Sequence, residues 1–305
     1  MRKSSFLVAL IICLLDFSCK SIATEQLQSH QPRRPIVLVY QGPGTFDAEN
    51  SDPHVNTKAL KAFIERYLRA HGKLGVDVIA AGAKEMNQYL ADTDSREIAM
   101  IAFPGGPDPT LMYNTLKKNK TLTPIINYLL QGGRYLGICA GAFLASSYVD
   151  DSPDKSAGRP SIIGLGLLQP RSSSPNDQET VTEFESGLAD SEALERGNVY
   201  FWRDKSVNMY FQNGPAFHFD ESSAHVLARY QTPSRNVKTR DIIFPEDRFP
   251  PAALVLSYGA GQSNVGLFGM HPEAPLAWRK AAAMPEVSNE AYDALGFDLL
   301  SELLP

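Results

Sequence analysis

Arg134-Tyr135-Leu136-Gly137-Ile138-Cys139-Ala140-Gly141-Ala142-Phe143-Leu144 is the stretch on which the reading of this chain turns. Residues 134–138 form a short apolar run of the kind a buried strand makes, and residues 140–148 read as a helix. Cys139 stands between them, with Gly137 two residues before it and Gly141 two after. This is the cysteine version of the G-x-S-x-G nucleophile elbow. A nucleophile on so tight a turn needs small residues at both flanking positions to avoid a clash. The helix that follows turns its N-terminal amides and the positive end of its dipole toward the sulfur, which favours a thiolate.

Outward from this turn, strands and helices alternate. Ile36-Val37-Leu38-Val39-Tyr40 is a continuous apolar run that stops at Gly42-Pro43-Gly44, as a fully buried parallel strand does. Residues 76–80 read as a second strand and residues 98–103 as a third, which closes on Pro104-Gly105-Gly106. Residues 55–71 have helical spacing, with Leu60, Phe63, Ile64, Tyr67 and Leu68 on one face. Residues 84–90 and 121–131 also read as helices, the latter halted by Gly132-Gly133. The alternation predicts an α/β fold of the flavodoxin-like kind, a parallel sheet with helices on both faces. The C-terminal half adds an antiparallel extension: residues 198–211, 224–230, 252–257 and 264–270 read as strands, with Tyr258-Gly259-Ala260-Gly261 as a hairpin connection. Residues 151–178, rich in Ser, Pro and Asp, read as a surface loop, and residues 274–283 and 289–304 as helices.

Composition agrees with a globular reading. The 305 residues are 43% apolar and 21% charged. A chain of this length buries roughly three quarters of its unfolded surface, so it needs neither disulfides nor a structural metal. The net charge of −5, with no basic stripe, argues against nucleic acid as a partner, and the apolar content argues against disorder.

The N-terminus has the pattern of an export signal. Arg2 and Lys3 precede the apolar run 6–15, and Ser21-Ile22-Ala23 has the small residues of a cleavage site. The run is far shorter than the roughly 20 residues that span a bilayer, and no other segment approaches that length. The expected organisation is a signal peptide over 1–23, a flexible polar arm over 24–34 and one α/β domain over 35–305, exported to the periplasm or the exterior. Lipid anchoring through Cys19 is a weaker alternative, because Asp16 stands where that pattern wants an aliphatic residue. Cleavage after Ala23 removes Cys13 and Cys19 and leaves Cys139 as the lone thiol. It then has no intramolecular disulfide partner in a compartment that permits disulfides. The competing reading is a buried cysteine acting as a small hydrophobe, and the local sequence argues against it.

A cysteine nucleophile wants an imidazole within reach and a third group to orient that imidazole. Of six histidines, His30 and His54 fall in polar loops, His71 at a helix end, and His218 and His225 beside strands. His271 follows the apolar run Val265-Gly266-Leu267-Phe268-Gly269-Met270 and opens His271-Pro272-Glu273. Pro272 fixes its own φ, and residues two apart in extended chain point to one side, so Glu273 can accept from the far ring nitrogen. Gly105 and Gly106, together with Ala140 on the first helical turn, can offer backbone N–H groups to a developing oxyanion, although an ordinary turn reads the same way. Gly42-Pro43-Gly44 lacks the spacing of a phosphate or dinucleotide loop. No cofactor is expected, and one mature cysteine with scattered histidines makes no metal-ligand set.

Phe103-Pro104-Gly105-Gly106, Gly137-Ile138-Cys139-Ala140-Gly141 and His271-Pro272-Glu273, in that order, resemble the class I glutamine amidotransferase-like superfamily. The resemblance implies that these are the oxyanion loop, the nucleophile elbow and the His-x-Glu pair of a cysteine triad. Tyr40-Gln41-Gly42-Pro43-Gly44-Thr45 and Tyr210-Phe211-Gln212-Asn213-Gly214-Pro215 resemble in particular the amidotransferase-like N-terminal domain of biotin–protein ligases and its stand-alone relatives. It implies a substrate pocket formed by Gly42, Pro43, Gly44, Phe143, Asn213 and Gly214. Two departures follow. Glutamine-hydrolysing members usually carry a glutamine four residues after the cysteine, where this chain has Phe143, and no nucleotide loop of a biotin ligase module is present. The expected function is therefore a cysteine-dependent hydrolase or amidase acting on a small-molecule or peptide amide or acyl substrate, without glutaminase or biotin ligase activity. The alternative is a non-catalytic small-molecule-binding module on the same fold.

Overall fold

The first strand shows how the two faces of the sheet are built. In β1 (Ile36–Tyr40), Val37 and Val39 join one core cluster while Leu38 and Tyr40 join the other, so a continuous apolar run is buried on both sides. Residues 34–46, 52–92, 98–146, 148–150, 162–168, 180–183, 199–202, 205–212, 214–230, 251–262, 264–282, 284 and 288–304 are described by a computed structural model of the chain. The expected signal peptide, the arm up to residue 33, Cys13, Cys19, His30 and Asn213 lie outside the described residues.

The further strands are β2 (Asp77–Ala81), β3 (Ile98–Phe103), β4 (Tyr135–Ile138), β5 (Tyr148–Asp150), β6 (Ile162–Ile163) and β7 (Thr180–Glu183). They continue as β8 (Val199–Trp202), β9 (Lys205–Asn208), β10 (Pro215–His218), β11 (Ala224–Tyr230), β12 (Pro251–Leu256) and β13 (Val265–Phe268). The helices are α1 (Val55–Ala70), α2 (Ala83–Asp92), α3 (Pro109–Lys118), α4 (Leu122–Leu130), α5 (Ala140–Ala145), α6 (Leu276–Ala281) and α7 (Asn289–Leu303).

Among the described residues the main sheet has the order β2-β1-β3-β4-β13-β12-β11-β8-β9. The first five of these pair in parallel. Counting β13 as the fifth, this is the 2-1-3-4-5 order of the flavodoxin-like doubly wound fold. From β13 to β9 every pairing is antiparallel, which is the expected extension of the C-terminal half. A smaller mixed sheet has the order β10-β7-β5-β6. One face of the main sheet is covered by α1 and α7, through Leu60, Phe63, Tyr292 and Leu299, and the other by helices that include α3 and α4, through Met112 and Ile125.

Three sequence expectations change. The helix after Cys139 stops at Ala145 instead of reaching Tyr148, which begins β5. Ser146 takes extended backbone there, and its hydroxyl donates to the Phe143 carbonyl at 2.6 Å, closing the last turn. Residues 198–211 form two antiparallel strands, β8 and β9, instead of one. The segment 151–178 is not wholly superficial: β6 falls within it, and Leu167 and Leu168 are buried, with Leu167 N–H donating to the Ala145 carbonyl at 2.8 Å. The apolar side chains outweigh the polar composition around them.

Candidate functional site

The elbow is built as the spacing of its glycines requires. Cys139 takes φ 48° and ψ −107°, a conformation that side chains other than glycine rarely adopt. A Cβ on Gly137 would lie 2.5 Å from the Gly141 carbonyl oxygen, and one on Gly141 would lie 2.2 Å from the Phe103 carbonyl oxygen. Neither position admits a side chain. The turn is pinned by Cys139 N–H donating to Phe268 O at 2.9 Å and by the Tyr135 hydroxyl donating to Gly141 O at 2.6 Å. Cys139 is thus held between β4 and β13, and the Ala140 N–H opens α5, where it has no intrahelical acceptor.

His271 follows β13, at the carboxyl edge where β1, β3 and β4 also end. Its Nδ1 lies 2.9 Å from Glu273 Oε1, with both side chains buried, at 6% and 1% exposure. The elbow is similarly closed: Cys139 is 6% exposed. Gly105 sits where the two groups converge. A Cβ there would lie 2.6 Å from His271 Cε1 and 3.4 Å from Cys139 Cβ. Burial by itself lowers the affinity of the ring for a proton. The Glu273 carboxylate, then the neighbouring Cys139 sulfur, more than reverse this and push the imidazole up to about 10. Aromatic rings hold it edge-on, Tyr210 at 5.6 Å and Trp278 at 6.2 Å between centroids. The second carboxylate oxygen of Glu273 is buried without a protein hydrogen bond among the described residues.

The other expected residues distribute around this pair. Gly106 abuts the loop after β1: a Cβ on it would lie 2.2 Å from Gly44 O. Gly42, Pro43 and Gly44 make a closed turn in which the Tyr40 hydroxyl donates to Pro43 O at 3.1 Å and the Thr45 hydroxyl to Gly42 O at 2.8 Å. Both loops follow β1 and β3, the strands between which the doubly wound order reverses, where ligands bind in such sheets. Phe143 is buried within the apolar cluster that also holds Tyr40 and Phe103. Gly214 packs its Cα against the Gly269 carbonyl. Among the other histidines, His54 meets the Gln41 amide at 3.0 Å, His71 its own helix and His225 the Glu302 carboxylate at 2.9 Å. None of these three is hydrogen-bonded to Cys139.

Sequence reasoning gave no role to Trp278 or Tyr292, and quoted Tyr210 and Gln212 only within a motif. Gln212 O accepts from Cys139 Sγ at 3.5 Å. An aromatic flanking a strand end is the only signal that could have drawn notice to Tyr210, and nothing local marks the other two. Among the described residues no group of His, Cys, Asp and Glu could hold a metal ion, and no helix is long and apolar enough to cross a membrane.

Strand order and elbow together define a class I glutamine amidotransferase-like α/β domain. More particularly, residues 36–159 match the family described as biotin-protein ligase, N terminal. The match contains Cys139 and ends before His271 and Glu273. A biotin–protein ligase of Schizosaccharomyces pombe is 27% identical over 181 residues, covering 57% of this chain and 25% of that protein. The pyridoxal 5'-phosphate synthase subunit PdxT of Pyrobaculum neutrophilum is 32% identical over 108 residues, 35% of this chain and 51% of that protein. The chain thus spans between a quarter and a half of the curated relatives it matches. Among solved structures, a glutamine amidotransferase from Thermotoga maritima is similar with a TM-score of 0.46 at 10% identity, over 89% of this chain and 98% of that one.

Proposed function

We propose that the protein is a cysteine-dependent hydrolase or amidase acting on an amide or acyl group. The observation that carries this reading is the buried His271–Glu273 pair, 2.9 Å apart, which converges on Gly105 with the elbow cysteine: a Cβ there would lie 2.6 Å from His271 Cε1 and 3.4 Å from Cys139 Cβ. In this mechanism the Cys139 thiolate forms a bond to the carbonyl carbon, and the carbonyl oxygen takes up the displaced electron pair as an oxyanion. N–H groups of Gly105, Gly106 and Ala140 stabilise that charge. The His271 imidazolium gives its proton to the leaving group as the carbon–heteroatom bond breaks, while Glu273 holds its tautomer. Water, deprotonated by His271, then hydrolyses the thioester and returns the thiol. With Phe143 at the position of the usual glutamine, glutamine is not the substrate this reading assigns.

The test is iodoacetamide alkylation of Cys139 across pH in the native protein and in His271→Ala, paired with turnover of an amide and ester panel by wild type and Cys139→Ala. Faster alkylation near neutrality that depends on His271, and turnover abolished in Cys139→Ala, are expected. An ordinary thiol titrating near 8.5 and indifferent to His271 would refute the reading. A second reading, a non-catalytic binding module, draws support from the burial of Cys139 beneath the Gln212 carbonyl. It requires a bound small molecule with no turnover. We further propose export, with residues 1–23 removed; N-terminal sequencing of the mature protein should begin at Thr24.

A further inference from the structure

One hydroxyl connects the C-terminal helix to the candidate base. Tyr292, buried on α7, accepts from Tyr210 N–H at 2.8 Å and donates to the His271 carbonyl at 2.8 Å. His271 N–H in turn donates to the Tyr210 carbonyl at 2.9 Å. The two residues are therefore held as neighbours on paired strands would be, except that one of their bonds is relayed through a phenol. A hydroxyl has one proton and two lone pairs, and an amide can only donate, so the phenol proton is committed to His271. The same carbonyl takes a second bond from Ala274 N–H at 3.1 Å, closing the turn that carries Glu273.

Helix α7 is itself firmly set. Asp293 accepts from two of the three guanidinium nitrogens of Arg66 on α1, Nε at 2.8 Å and Nη2 at 2.9 Å. Gly296, four residues after Tyr292 and so on the same face, lets the helix approach both Phe63 of α1 and the base turn, since a Cβ there would lie 2.4 Å from Phe63 Cζ and 2.8 Å from Pro272 Cβ. The Arg279 guanidinium covers the Tyr292 ring at 4.2 Å. The imidazole has little freedom of its own, being tied to Glu273 at Nδ1 and edged by Tyr210 and Trp278. Any shift of the His271 backbone must pass into its distance from Cys139.

We propose that Tyr292 is a positioning residue for the base: by fixing the backbone of His271 against Tyr210, its hydroxyl sets the approach of the imidazole to Cys139. The proposal rests on the Cys139–His271–Glu273 reading and deepens it. Tyr292 touches neither sulfur nor substrate and acts through His271. Removing its hydroxyl leaves the buried Tyr210 N–H without its acceptor and takes one of two donors from His271 O.

The experiment is the pH profile of Cys139 alkylation by iodoacetamide in the full chain, measured for wild type, Tyr292→Phe, Gly296→Ala, Tyr67→Phe and His271→Ala, with a thermal melt of each. Tyr67→Phe is the control, because it deletes a buried hydroxyl that holds the far end of the same helix, donating to Leu304 O at 3.1 Å. Tyr292→Phe should slow alkylation at neutral pH about tenfold and displace the profile, by the loss of one net hydrogen bond's worth of positioning. Tyr67→Phe should lower the melting temperature and leave the profile in place. Should Tyr292→Phe not fold, Gly296→Ala presses α7 away from Phe63 and Pro272 and so shifts the hydroxyl relative to His271 while keeping it, and the same displacement is expected from it. A folded Tyr292→Phe, or in its stead Gly296→Ala, with the wild-type rate and profile overturns the proposal when His271→Ala changes both. If His271→Ala changes neither, the triad reading itself has failed.

Discussion

Gly105→Ala puts the geometry of the candidate site to a direct test. The added methyl would stand 2.6 Å from His271 Cε1, where ordinary contact begins at 3.4 Å, so something must yield by 3.4 − 2.6 = 0.8 Å. The ring cannot retreat freely, because Nδ1 is bonded to Glu273 at 2.9 Å and Tyr210 and Trp278 stand at its edges. On the other side the methyl already meets Cys139 Cβ at 3.4 Å. Overpacking of this size in a closed interior costs about 1–3 kcal/mol. A displacement approaching 1 Å between reacting groups costs up to about 100-fold in rate. We expect a lower melting temperature and alkylation of Cys139 slowed between about 10- and 100-fold at neutral pH, with the slowing larger than the loss of stability alone would give. Purified Gly105→Ala that melts and reacts with iodoacetamide as wild type does would show that imidazole and thiol do not converge on this residue, and the reasoning would be refuted.

Three further outcomes follow from the same contacts. The imidazole of His271 is raised from an ordinary value of 6.5 to about 10 in the folded protein, so its contribution to stability is complete below about pH 6.5 and is lost as pH rises through 10. Melts should therefore fall between pH 7 and 10, and Glu273→Gln, which removes the strongest raising partner, should move that fall to lower pH; identical pH dependence in the two proteins would contradict this. Tyr135→Phe removes the donor to Gly141 O inside a fully buried cluster and should cost about 1–3 kcal/mol, seen as a lower urea midpoint with an unchanged slope. Gly141→Ala drives a methyl to 2.2 Å from a β3 carbonyl that cannot swing aside, whereas a Cβ on Gly75 meets nothing within 4 Å. The first should lose both stability and thiol reactivity, and Gly75→Ala should stay within about 0.5 kcal/mol of wild type by denaturant titration.

Most of the parallel core was legible because its strands are buried on both faces, which forces unbroken apolar runs such as residues 36–40 and 98–103. Helix α3 was not read, although Asp108 caps it by accepting from Leu111 N–H at 2.7 Å and Pro109 opens it. Only Met112 and Leu116 are buried along it, too thin a stripe to register as a period. Among the described residues, strands β7 and β10 pair only with each other and with short partners, and carry no clean alternation. At the site, Cys139 and His271 announced themselves through glycines and a proline, which constrain backbone locally. Tyr292 did not, since a tyrosine on the apolar face of a helix looks like core, and only the folded chain reveals that its hydroxyl meets a backbone about twenty residues earlier in the sequence.

Strand β13 lies beside β4 in the sheet, yet the chain makes β5 through β12 before it arrives. During synthesis the sulfur therefore emerges long before the ring that stands against it. On the proposed reading, an interrupted or clipped product ending ahead of residue 265 has the elbow sequence but lacks His271, so a nascent chain carries no armed thiol among the factors that handle it. On that same reading, chemical competence at Cys139 is in this way timed to the insertion of one late strand.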